Sequence, residues 1–174
     1  MEISLPDFWK WSSSDLLSNA TRGIFAEYIV SLALGASMDG GRKEWDAFDV
    51  LTPEGLKIEV KSAAYVQSWK QKSHSKILFG IGPTKGWDAE TNVYDTEIRR
   101  QADVYVFALL TCKDRETADP MNLENWEFYV LPTSVLNERL PFQKTLSLSR
   151  LASLAEKPVG VFALRDTVTA LQGR

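Results

Sequence analysis

The sequence predicts an α/β fold: a mixed sheet of about five strands, flanked by an N-terminal helix and by helices near the C-terminus. Three observations carry this. Residues 15–34 repeat apolar side chains at helical spacing. Residues 46–61 form two β-prone segments around a turn, and residues 103–111 are a nearly unbroken apolar run of strand length. With 174 residues, 44% apolar and 25% charged, the chain suits one globular domain spanning 1–174. Its core is expected over about residues 14–131, with residues 132–174 adding a strand and helices.

Residues 1–11 hold Phe8, Trp9 and Trp11, and are expected to pack as an aromatic arm on the domain or on a second subunit. Ser12, Ser13, Ser14 and Asp15 are capping chemistry before a helix, or two helices with a break, that Gly35 ends. Residues 39–43 form a polar, glycine-containing loop. Two strands follow, 46–51 and 56–61, joined by Thr52, Pro53, Glu54 and Gly55, where Pro presets φ and Gly accepts positive φ. Residues 76–81 are expected as a third strand, residues 87–92 as loop, and residues 96–101 as a short helical or turn segment. Residues 103–111 and 126–131 are further strands, the second ended by Pro132. A short helix to about Arg139, an edge strand at 145–148 and helices at 149–155 and 161–171 complete the chain.

Composition excludes several classes. There is no run of eighteen apolar residues, so a transmembrane helix and a membrane partner are not expected. Residues 1–11 have neither a basic start nor a small-residue cleavage site, so a signal peptide is not expected. A single cysteine, Cys112, excludes an internal disulfide and a cysteine-based zinc site, and its apolar surroundings suggest a small buried hydrophobe. Together these point to a cytoplasmic location. His74 is the one histidine, which removes a Ser-His-Asp triad and a histidine-based metalloprotease. Gly82 to Gly86 lacks the phosphate-loop pattern. The net charge of −3 gives no global signal for nucleic acid, but residues 56–85 carry six lysines against the single acid Glu59, a local balance of +5.

The chemistry concentrates in the first hairpin. Along residues 56–61, Leu56, Ile58 and Val60 point one way while Lys57, Glu59 and Lys61 point the other. A carboxylate, an adjacent ammonium and a second carboxylate on the neighbouring strand suit Mg²⁺-assisted hydrolysis. Two oxygens hold a hard cation, and the lysine orients or helps deprotonate water and offsets phosphate charge. The register leaves the second carboxylate open. If Leu51 pairs with Leu56, Asp46 falls opposite Lys61; if Leu51 pairs with Lys57, Asp49 falls opposite Glu59. An edge hairpin with a solvated charged face would show the same lysine–glutamate alternation.

Asp49, the hairpin, and Glu59-Val60-Lys61 resemble the core of the PD-(D/E)XK, or restriction endonuclease-like, nuclease superfamily, with Phe48 where the motif's name has proline. The resemblance covers residues 23–69 and, beyond them, strand order only. It implies an αβββαβ core and a Mg²⁺-dependent nuclease, with Mn²⁺ as substitute, cutting DNA as a restriction or repair endonuclease. It implies Asp49 and Glu59 as metal ligands and catalytic residues, with Asp46 the alternative ligand, and Lys61 as the catalytic lysine. Glu27, on the preceding helix, is by this resemblance an additional ligand, direct or through water; otherwise it is a flank glutamate paired with Arg22, itself expected at the surface. The segment from Ile58 to Trp69 resembles a subgroup with a glutamine and a tryptophan after Glu-Val-Lys-Ser, which makes Gln67 a candidate to orient the lysine or touch the phosphate backbone. Tyr65 and Trp69 are expected to pack. Lys70, Lys72, Arg99 and Arg100 are candidate nucleic-acid contacts. A homodimer fits an enzyme that cuts both strands of a duplex. The alternative is a non-catalytic nucleic-acid-binding or protein-interaction domain on the same scaffold.

Overall fold

The computed structural model describes residues 2–39, 42, 47–88 and 91–171. Its centre is a four-stranded mixed sheet of β1 (Val50–Leu51), β2 (Lys57–Ala64), β6 (Val104–Leu110) and β7 (Trp126–Pro132), in the order β1-β2-β6-β7. The pair β1–β2 is antiparallel, β2–β6 parallel and β6–β7 antiparallel. The apolar run behaves as expected: every residue of β6 is buried, because helices and loops cover both faces.

Side-chain alternation divides the core in two. Ile58, Val60 and Ala64 of β2 and Val104, Val106, Ala108 and Leu110 of β6 face α2 (Asn19–Leu34) and α5 (Val161–Thr169). Ala63 of β2 and Tyr105, Phe107 and Leu109 of β6 face the opposite layer. That layer holds α3 (Thr133–Arg139), α4 (Leu148–Leu154) and a small antiparallel sheet of β3 (Leu78–Gly80) with β8 (Thr145–Ser147). The result is a mixed α/β sheet between N- and C-terminal helices, matching a restriction endonuclease-like core.

Four expectations need correction. Residues 15–34 are not one helix from Asp15: α1 occupies Leu5–Ser13 and α2 begins at Asn19. The Asp15 carboxylate accepts from the N–H groups of Leu17 and Ser18 in the turn between them. No residue of α1 is buried, so the aromatic arm does not pack into the domain. The third strand leaves the main sheet, because Phe79 inserts between the layers and β3 pairs with β8, far away in sequence. The crossover from β2 to β6 carries a hairpin, β4 (Thr84–Asp88) with β5 (Val93–Arg99), where loop and helix were expected. Asn92 takes positive φ at its turn, and Trp87 pairs with Tyr94 across it. Two smaller corrections follow: Cys112 is half-buried, and Trp69 is exposed.

Candidate active site

The turn chemistry sets the site. Gly55 has φ of +87°, its N–H bonds to the Thr52 carbonyl at 2.9 Å, and the Leu56 N–H bonds to Thr52 Oγ1 at 3.1 Å. This loop pairs Leu51 with Lys57 and Val50 with Ile58, the longer-loop register. The Asp49 N–H then donates to the Ile58 carbonyl at 3.0 Å, so Asp49 lies opposite Glu59. Asp49 Oδ2 accepts from the Val60 N–H at 2.7 Å, which ties the carboxylate to the middle of β2. Asp46 lies outside the described residues.

Glu59 and Lys61 share one face of β2, beside Tyr105 and Phe107 of β6. Lys61 Nζ sits 2.5 Å from Glu59 Oε1, with both side chains partly exposed. Glu27, at the middle of α2, receives Arg42 in a two-pronged pair, Nε to Oε2 at 2.5 Å and Nη2 to Oε1 at 3.1 Å. Its partner is therefore Arg42 and not Arg22.

These charges act on one another. Asp49 is raised to about 7, first by the protein crowded around its carboxyl and then by Glu59, with Glu27 adding; the Val60 N–H and Lys61 pull the other way. Asp49 keeps an exposed edge, where water screens part of this rise. Burial pulls Lys61 down, but Glu59, hydrogen-bonded to it, and Asp49 and Glu27 beyond more than offset that, leaving Lys61 above its ordinary value. Tyr105 is pushed up by burial and by Glu59. The picture is Glu59 paired with Lys61, Glu27 paired with Arg42, and Asp49 held by the Val60 N–H with its proton affinity raised.

The chain matches the family described as bacteriophage T4 endonuclease IV over residues 8–150. It belongs to that family. The match is consistent with a PD-(D/E)XK-type nuclease and makes nuclease the general function class. No curated protein matches the chain.

Elsewhere in this endonuclease IV family member, the other site candidates scatter. Gln67 is 5% exposed; it accepts from Arg22 Nη1 at 3.3 Å and donates to Ser75 Oγ and the Ala64 carbonyl, and none of these bonds reaches Lys61. Lys70 and Lys72 are exposed along an open cleft with Lys113 and Arg115, which the acids Asp114 and Glu116 also line. Arg99 pairs with Asp95 at 3.2 Å on the exposed hairpin. Arg100 is 7% exposed and donates to the carbonyls of Ile81, Leu140 and Gln143 and to Asn137, so it clamps the layer of α3 and the β3–β8 pair and does not join the site. Arg22, expected at the surface, is buried. Sequence reasoning missed Arg42 and Tyr105. Tyr105 sits inside an apolar run, and only the parallel pairing of β6 with β2 brings it beside Glu59.

Among the described residues, no group of three or more His, Cys, Asp and Glu side chains is placed to hold a metal unaided. Mg²⁺ asks for less: one or two carboxylates, with water and substrate phosphate completing its shell. Asp49, just before β1, and Glu59 on β2 are hard oxygen donors, with Asp49 raised by burial and by the Glu59 charge, and they fit that requirement.

Proposed function

We propose that this protein is a Mg²⁺-dependent endonuclease hydrolysing DNA phosphodiester bonds at the β1–β2 hairpin. The observation that supports this most is the register that sets Asp49 opposite Glu59, with Lys61 on the same face. Asp49 and Glu59 would hold the ion, and Glu27 would contribute through water once Arg42 shifts toward the substrate's phosphates. When bound, Mg²⁺ (or Mn²⁺ in its place) would supply Lewis acidity at the scissile phosphate and a more acidic water.

The chain's own groups divide the remaining work. Lys61 keeps its proton near neutral pH because Glu59, hydrogen-bonded to it, and the charges of Asp49 and Glu27 more than offset its burial. It therefore acts as a charge and a hydrogen-bond donor, orienting water and offsetting charge on the phosphate, more than as a base. The Val60 N–H fixes the Asp49 carboxylate. Gln67 acts at a distance, through Arg22 and the end of β2. Lys70 and Lys72 would steer the phosphate backbone, with Arg99 able to exchange Asp95 for phosphate.

A homodimer belongs to the same reading. Leu5, Phe8 and Trp9 on α1 and Ile24, Tyr28 and Leu32 on α2 are exposed apolar stripes. Nine residues of α1 and the 24–32 stripe each run for about 12–13 Å, so α1 of one copy can cover α2 of another.

The Lys61–Glu59 pair is the observation favouring a non-catalytic, nucleic-acid-binding or protein-interaction domain, because it occupies both groups with each other. Incubation with supercoiled plasmid, with Mg²⁺ or with chelator, separates the readings. Nicking or linearisation with Mg²⁺ and none with chelator is expected. A folded protein that binds DNA and leaves it intact with either Mg²⁺ or Mn²⁺ would favour the non-catalytic domain.

A further inference from the structure

Arg22 is buried in an unusual way. Its side chain is 3% exposed, and it donates from Nη1 to the Leu17 carbonyl and to Gln67 Oε1, and from Nη2 to Asn19 Oδ1 at 2.7 Å. All of these acceptors are neutral. Its Nε is, among the described residues, the one buried side-chain nitrogen or oxygen without a hydrogen-bond partner. Burial shifts the guanidinium downward, and no carboxylate among the described residues holds it up. A buried cation without a counter-charge is costly, and an anion that pairs with it would relieve that cost.

Arg22 lines a cavity of ≈ 390 Å³ between the N-terminal turn of α2 and the end of β2. Asn19, Ser62, Gln67, Trp69 and Lys76 line it too, and among the described residues no acid does. Ser62 takes the face of β2 opposite Lys61 and Ala63 takes the Lys61 face; both line the cavity, which therefore lies at the strand end beyond Glu59 and Lys61. Lys76 is exposed at its rim, and Trp69 is 54% exposed there, an indole face without the packing expected of it. Cations, amide and hydroxyl donors and an open aromatic face suit a nucleotide: phosphate on the donors, base on the ring.

We infer that this cavity binds a phosphate of the nucleic-acid strand beside the one that is cut, with Arg22 as its buried counter-charge and Trp69 stacking on the adjoining base. The inference rests on the hydrolysis reading for the word "cut" alone. Arg22 precedes Glu27 by five residues on α2, about 7.5 Å along the axis. The two positions are therefore separated by a short step along one helix.

The test uses binding, in a Lys61→Ala background so that cleavage does not intervene. Fluorescence anisotropy with a labelled oligonucleotide compares Arg22→Met, Arg22→Lys, Trp69→Ala and Lys76→Ala with that background. Arg22→Met is expected to weaken binding about tenfold and to lower the slope of log K against log salt by about one. Arg22→Lys is expected to restore the slope. Trp69→Ala, at an exposed position that leaves the fold intact, should weaken binding without changing the slope. Thermal shift with inorganic phosphate and with a deoxynucleoside monophosphate reads the cavity separately. Oligonucleotide affinity and salt slope unchanged in folded Arg22→Met, Trp69→Ala and Lys76→Ala would overturn the inference. A phosphate-induced shift lost in Arg22→Met, with oligonucleotide binding unchanged, would overturn the assignment to the strand in favour of a free anion. Binding that depends on Arg22 in a wild type that never cuts would sink the hydrolysis reading and leave this site standing.

Discussion

At Asp49, stability and activity pull in opposite directions. Its carboxyl is raised to about 7 by crowding and by Glu59, so the folded state holds that proton more tightly than the unfolded chain does. The sign follows: Asp49's contribution is most favourable below its ordinary value and is lost as pH rises through about 7. Asp49→Asn removes the charge and keeps an oxygen to accept from the Val60 N–H. Thermal denaturation across pH should therefore show Asp49→Asn more stable than wild type at pH 8, with the gap closing toward pH 4. A gap that widens on acidification would refute the repulsion described here. Under the metal reading, millimolar Mg²⁺ raises the wild-type melting temperature at pH 8, does so less at pH 5.5 where protons compete, and has little effect on Asp49→Asn. Arg100 is a second residue with a checkable role. Four acceptors around a buried guanidinium predict that Arg100→Ala costs about 3 kcal/mol of unfolding free energy, measured by urea titration. A change below about 0.5 kcal/mol would show that the clamp contributes nothing.

Among the elements, the hairpin turn controls the register. No atom lies near a Cβ built on Gly55, so its φ of +87° is the whole difficulty for another residue. Gly55→Ala should cost about 1 kcal/mol and lower activity further, because a one-residue slip turns Asp49 away from Glu59. Full activity with the stability loss would show that register is held elsewhere. This hairpin was legible in the sequence because its signals are local: Pro53, Gly55 and the alternation from Leu56 to Lys61 lie within a few residues. The αL end of α2 at Gly35 and the continuous strand β6 were legible for the same reason. The choice between Asp46 and Asp49 was not, since one residue of loop length decides it and both turns satisfy the composition. Nor was the β4–β5 hairpin, whose Val93, Tyr94 and Ile98 are exposed and so leave no buried face to alternate with a polar one. The pairing of β3 with β8 and the proximity of Tyr105 to Glu59 depend on contacts distant in sequence. Arg22 was misplaced because a lone arginine on a helix is ordinarily at the surface, and what buries it is the loop carrying Gln67.

For the whole molecule, a sheet covered on both faces holds the hairpin at one edge, where β1 has, among the described residues, a single strand neighbour and the carboxylates remain open to solvent. A parallel β2–β6 pair anchors that edge to the most buried strand. The exposed stripes on α1 and α2 bear on assembly. Light scattering at tens of micromolar is expected to give twice the chain mass, and Trp9→Ser with Leu32→Ser to give the monomer. A monomer in the wild type would remove the homodimer. No helix among the described residues is long and apolar enough to cross a membrane. The central claim is that Asp49, Glu59 and Lys61 form one hydrolytic site, and single-turnover cleavage of a labelled DNA substrate with saturating Mg²⁺ tests it most directly. Glu59→Gln, Asp49→Asn and Lys61→Ala, each folded and each binding the substrate, are expected to lose at least about a hundredfold in rate. Cleavage at the wild-type rate by any one of the three would contradict the account.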